Sequence, residues 1–96
     1  MSKQRLSMRY EGRVQGVGFR VNVADVAQSF EVSGRVANVQ NGSVDLQAEG
    51  SQAELLRFQA AIEERLKRFI THAHQQWSPA ERETWSDFRI GADLER

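Results

Sequence analysis

The spacing of apolar residues switches from strand-like to helix-like and back several times along the chain, and each switch marks an element. Leu6, Met8 and Tyr10 alternate with Ser7, Arg9 and Glu11, and Val14 keeps the same parity, which predicts a half-buried strand. Past a glycine-bearing stretch, Val23, Val26, Ala27 and Phe30 recur at helical spacing, so a helix beginning near Arg20 lays one apolar stripe on a sheet. Residues 34–40 read as a second strand and 43–49 as a third, with Val44, Leu46 and Ala48 inward and Asp45, Gln47 and Glu49 outward. Asn41-Gly42 between them predicts a type I′ hairpin, because both residue types tolerate positive φ. Ser51 with Glu54 reads as a capping box opening a second helix, along which Leu55, Phe58, Ile62, Leu66 and Phe69 step down one face. Glu63 with Lys67 and Glu64 with Arg68 are favourable pairs on its other face. Residues 69–77 alternate loosely, Ser78-Pro79 breaks the pattern, and 85–90 alternate again, giving two further strands.

The order strand, helix, strand, strand, helix, strand, strand buries every stripe if one antiparallel sheet carries both helices on one face. That is an α+β chain with a ferredoxin-like α/β sandwich, βαββαβ with an additional C-terminal strand. Ninety-six residues fit a single domain, 1–96. Thirteen basic residues balance thirteen acidic ones, so no overall field draws the chain to nucleic acid or anionic lipid, and any anion binding is local. No cysteine is present, which excludes disulfides and thiolate chemistry. The polar start Met1-Ser2-Lys3-Gln4-Arg5 and the absence of a long apolar run point to a cytoplasmic protein without a cleaved leader or membrane span. No interface pattern stands out, which favours a monomer.

Candidate chemistry concentrates between the first strand and the first helix. Gly16 and Gly18 let successive backbone N–H groups converge on an oxyanion, the helix start adds free donors, and Arg20 supplies a planar fork. The same glycines also suit a plain strand-to-helix turn, so the residues alone leave both readings open. Nucleotide motifs are excluded: Val17-Gly18 follows Gly16 where a P-loop needs Lys-Ser or Lys-Thr, and Val21 stands where a dinucleotide loop needs its third glycine. His72 and His74 share a strand face, but no cysteine and no clear acidic partner accompanies them, so no metal is expected. Trp77 and Trp85 read as aromatics closing a hairpin around Pro79. An RNA-binding face is disfavoured by polar Asp45 and Gln47 on a central strand and by the lack of basic excess.

From Gly12 to Arg20 the chain reads Gly-Arg-Val-Gln-Gly-Val-Gly-Phe-Arg, which resembles the acylphosphatase signature Gly-x-Val-Gln-Gly-Val-x-Phe-Arg at every fixed position. A second block, Gly34, Val36, Asn38, Gly42 and Val44, is similar to the family's glycine, valine, asparagine and glycine-turn pattern. The resemblance implies the same sandwich fold and hydrolysis of acyl phosphates without cofactor or metal. It further implies phosphate binding by Arg20 and the backbone of Gln15, Gly16, Val17, Gly18, Phe19 and Arg20, and water orientation by Asn38. On composition alone, Asn38 is better explained by a side chain bonded to its own backbone, and the family register reverses that preference. Arg35 and Ala37 replace the aromatic and basic residues usual in the family, and strand parity points both away from Asn38. The alternative function is a non-catalytic anion- or partner-binding module on the same fold.

Overall fold

The computed structural model describes residues 3–95, so the polar start at Met1 and Ser2 lies outside it. The elements are β1 (Lys3–Gly12), α1 (Phe19–Ala27), β2 (Ser33–Asn38), β3 (Val44–Gly50), α2 (Gln52–Leu66), a 3-10 turn (Lys67–Phe69), β4 (Ile70–Ala80) and β5 (Phe88–Ile90). They form one five-stranded sheet in the order β4-β1-β3-β2-β5. The core is a single cluster in which Leu6, Met8, Tyr10, Val36, Val44, Leu46 and Ala48 meet Phe19, Val23 and Val26 of α1 and Leu55, Phe58, Ile62 and Leu66 of α2. Both helices therefore cover the same sheet face, as the stripes require. Among the described residues, no helix is long and apolar enough to cross a membrane.

Several local expectations need correction. The sheet is mixed, because β5 pairs parallel to β2 with Val36 opposite Ile90. Residues 81–87 carry the chain from the β4 edge to the opposite edge and deliver it beside the start of β2, where Gly34 N–H donates to Asp87 O at 2.9 Å. Trp77 and Trp85 consequently close no hairpin: Trp77 packs on the core, whereas the Arg5 guanidinium lies 5.6 Å from the Trp85 ring. Pro79 breaks nothing either. It stays inside β4 opposite Gln4, on an edge strand where its missing N–H is tolerated.

The β2–β3 turn is not type I′, since no residue but glycine has positive φ among those described. Gly42 N–H donates to Val39 O and Val39 N–H to Ser43 O, both at 2.9 Å, which makes a three-residue loop with Gly42 at φ 98°. Asn41 instead uses its carboxamide oxygen to accept from Ser43 N–H at 3.0 Å and from Ser43 Oγ at 2.6 Å. The helix cap is half a box: Ser51 Oγ accepts from Glu54 N–H at 3.2 Å, but the Glu54 carboxylate accepts from Glu31 N–H at 2.7 Å and binds Arg57. Neither Glu63–Lys67 nor Glu64–Arg68 closes as an ion pair among the described residues; Arg68 lies 4.6 Å over the ring of Phe69, which sits in the 3-10 turn rather than in α2.

Asp45 and Glu49 lie on the helix-free face, as parity predicts, yet both are buried. The connection after β4 covers Glu49, leaving it 2% exposed. Its carboxylate accepts from Arg5 at 2.6 and 2.9 Å and from Thr84 N–H at 3.0 Å. Burial alone would raise its pKa, but the Thr84 N–H and the Arg5 guanidinium outweigh that and hold the carboxyl below the usual range.

Candidate active site

The loop between β1 and α1 is anchored at both ends by apolar side chains. Gly12 closes β1 at a register shift beside Ile70, and Arg13 N–H donates to Phe69 O at 2.9 Å. Val14 and Phe19 then plug into the core, with the Phe19 ring centroid 5.3 Å from that of Tyr10. Between these plugs the backbone is free to turn outward. Gly16 and Gly18 take φ of 78° and 79°, a left-handed conformation that side-chain-bearing residues avoid. Gly18 is also the residue before α1, and no side chain caps it. The first intrahelical bond is Asn22 N–H to Gly18 O at 3.0 Å, so the N–H groups of Phe19, Arg20 and Val21 have no partner within the helix. Free donors at a helix start with a positive dipole end make the geometry one that accepts an oxyanion.

Asn38 ends β2 on the parity of core residue Val36, hence on the helix-covered side, whereas Arg35 and Ala37 have the opposite parity. Arg35 lies against Gly91, its Nη1 3.3 Å from where a β-carbon on that glycine would stand. The Asn38 backbone oxygen accepts from Leu94 N–H at 2.8 Å. Its side-chain Oδ1 is buried and has no hydrogen-bond partner among the described residues, so it does not accept the local backbone bond that composition alone suggested. Arg20 Nη1 lies 3.8 Å from an oxygen of Asp93, the residue before Leu94. Two consecutive residues of the C-terminal segment thus touch Arg20 of α1 and the backbone of Asn38 at the end of β2.

Gln15 supplies a contact that the sequence did not reveal. Its Nε2 donates to Val39 O at 2.7 Å and to Ser43 O at 2.8 Å, spanning the base of the β2–β3 hairpin. The side chain therefore latches the loop to the strand end that carries Asn38, beyond the backbone contribution expected of this residue. Asp93 and Leu94 also escaped notice, since nothing in their local pattern marks them.

Two surface clefts lie elsewhere. One of about 500 Å³ is lined by Ser7, Arg9, Asp45, Gln47 and His74, among others, on the helix-free face. Another of about 300 Å³ is lined by Glu11, Gly12, Asn41, Gly42 and Ser43. Neither includes Arg20 or Asn38. The loop is an open cradle, which suffices for a small tetrahedral anion held by backbone donors. His72 and His74 do have an acidic neighbour, Glu11 of the adjacent strand, 3.9 Å and 3.4 Å away. Even so, no group of three or more such side chains among the described residues is arranged to hold a metal ion.

Comparison with known proteins identifies the family. The family model described as Acylphosphatase matches residues 6–90. An acylphosphatase of Methanospirillum hungatei is 44% identical over 55 residues, which are 57% of this chain and 60% of that protein. One of Thermotoga petrophila is 51% identical over 53 residues, 55% of this chain and 59% of the relative. The chain thus spans about 60% of the length of these curated relatives. The crystal structure of acylphosphatase from Bacillus subtilis superposes with a TM-score of 0.80 at 29% identity, covering 92% of this chain and 98% of that one. Most of the 6–90 match lies beyond the signature loop, in the first helix, the hairpin, the second helix and both closing strands, so loop and scaffold agree: the chain belongs to the acylphosphatase family.

Proposed function

We propose that the protein hydrolyses acyl phosphates to a carboxylate and inorganic phosphate, with Arg20 and Asn38 at the reacting centre. The N–H groups of residues 15–20 and the Arg20 fork hold the phosphoryl oxygens, and Asn38 Oδ1 accepts a hydrogen bond from the attacking water. The observation that carries this reading is the buried Asn38 Oδ1 without a hydrogen-bond partner among the described residues, an unspent acceptor at the strand end to which Gln15 ties the loop. Water oxygen forms a bond to phosphorus as the bond from phosphorus to the carboxylate oxygen breaks. The water proton passes to a phosphoryl oxygen or to solvent, and the leaving carboxylate departs with the bonding pair.

Little else is asked of the protein. The conjugate acid of the leaving group has a pKa of about 4, so departure at neutral pH requires no general acid. Phosphoryl transfer through a loose transition state is chiefly positioning and charge stabilisation, which fixed dipoles and one guanidinium supply. An uncharged amide orients water without repelling the dianion, which a carboxylate base in its place would do.

The test is hydrolysis of benzoyl phosphate in the presence of chelator by the native protein, Arg20→Ala and Asn38→Ala. Loss of Arg20 raises KM and lowers kcat together, by about 10²-fold or more in kcat/KM. Loss of Asn38 lowers kcat with KM nearly unchanged. Folded variants that both retain native kinetics would overturn the assignment.

A further inference from the structure

The connection after β4 covers only one end of the helix-free sheet face, where Glu49 binds Arg5 and the Thr84 N–H. Farther along β1 lies the cleft of about 500 Å³, a volume in the range of small-molecule sites. Three of its lining residues are cross-strand neighbours: Arg9 of β1 pairs with Asp45 of β3 on one side and with His74 of β4 on the other. Side chains directly opposite on paired strands come within reach of each other, so Arg9 and Asp45 have the means to close an ion pair. Among the described residues they form none. Arg9 Nε is buried and has no hydrogen-bond partner among those residues. Asp45 is 9% exposed, and among them its carboxylate accepts only a long bond of 3.5 Å from Gln47. A guanidinium donor and a carboxylate buried this way cost stability unless a third group meets both.

We infer that the cleft is a second binding site, for a zwitterionic α-amino acid whose carboxylate meets Arg9 and whose ammonium meets Asp45. The balance of charge argues for that class. A plain anion at Arg9 would also face the Asp45 and Glu11 carboxylates, and a metal cation at Asp45 would face the guanidinium. Neither repulsion arises for a ligand that carries both charges. Because Arg9 and Asp45 are direct cross-strand partners, those charges must lie close together, as they do across the single carbon of an α-amino acid. Glu11 does not compete for the ammonium, since the imidazoles of His72 and His74 lie against it at 3.9 and 3.4 Å. The planar guanidinium matches a carboxylate with two parallel bonds. Ser7 Oγ donates to Gln47 Oε1 at 2.8 Å, which holds that amide on the same face and makes the cleft wall suited to a polar side chain. Arg20, Asn38 and residues 15–20 line no part of it, so the inference stands apart from the proposed hydrolysis.

The experiment titrates L-glutamine into the full chain while NMR follows the Arg9 Nε–H signal and the backbone amides. Acetate, methylammonium and inorganic phosphate, each with charge of one sign, serve as comparisons. Glutamine binds at about millimolar concentration, the level open to so small a ligand, and moves Arg9 Nε–H and the amides of Ser7, Asp45 and Gln47 while leaving residues 15–20 in place. Arg9→Gln and Asp45→Asn each weaken it by about tenfold or more, the loss expected when one charged partner is removed. The one-signed probes bind more weakly than glutamine. No movement of Arg9 Nε–H well above that concentration overturns the inference, as do movements confined to residues 15–20 or folded variants that bind like the native chain. Acetate or phosphate binding in the cleft as tightly as glutamine overturns the ligand class. If either variant does not fold, the native titrations still decide.

Discussion

Replacing Gln15 by leucine removes both bonds that tie the loop to the hairpin, at 2.7 and 2.8 Å, and keeps the bulk of the side chain. The receiving carbonyls are not orphaned, since Val39 O retains Gly42 N–H and Ser43 O retains Val39 N–H. With two partly buried bonds lost and no acceptor stranded, the expected destabilisation is about 1–2 kcal/mol. For a domain of this size that lowers Tm by about 5–10 °C. Glutamate at the same position is worse at neutral pH, because its carboxylate faces two carbonyl oxygens where an amide donated to both. Acid relieves part of that deficit: the protonated carboxyl regains one donor, so its folded pKa is raised and the stability it recovers is present only at low pH. Thermal unfolding of the three proteins across pH 4–8, with benzoyl phosphate kinetics, reads these effects out. A loop that swings away from Asn38 lowers kcat more than it raises KM. If leucine and glutamate variants unfold with the native protein and turn over at its rate, the latch carries no weight and Val14 and Phe19 alone hold the loop.

Two predictions concern the interior. The Glu49 carboxyl is held below the usual glutamate value of about 4.3, so its contribution is complete above that pH and is lost as acid carries the folded group through its lower value; urea unfolding of Glu49→Gln shows a flatter stability profile below about pH 4.3, and an unchanged slope refutes the assignment. The Tyr10 hydroxyl is buried with no partner among the described residues, and burial pushes its pKa upward. Tyr10→Phe deletes that unsatisfied group while keeping the ring against Phe19, so it is neutral or stabilising by about 1 kcal/mol, and a lowered Tm counts against it.

The range of the forces involved decides which features were legible in the sequence and which were hidden. Leu6, Met8, Tyr10 and the α2 stripe were legible because burial on one side imposes a period on neighbouring residues. The turn from the first strand into α1 was legible because its glycines are contiguous with both elements, and Gly16 and Gly18 do take positive φ. Alternation carries no strand direction, so the parallel pairing of β5 was invisible. Asn41 found a local acceptor role with Ser43 that propensity for positive φ does not anticipate. Glu49 looked solvent-facing because the residues that cover it lie 35 positions away at Thr84. The Gln15 latch reaches 24 and 28 positions along the chain, and Asp93 meets Arg20 from the far end. Such contacts depend on topology, and no local pattern encodes them.

The strand that guides the C-terminal segment has only three residues and is bonded to the sheet along one edge. Of residues 88–95, only Phe88 packs against the core, and it is partly buried. Detaching β5 together with residues 91–95 therefore leaves most of the buried cluster intact, and such peripheral openings occur at a free energy well below that of global unfolding. Each opening frees Arg20 from Asp93 and Asn38 from Leu94 in one step. Under the proposed roles, heat would silence this protein before it melts it, with activity fading over a temperature range in which the core still reads as native.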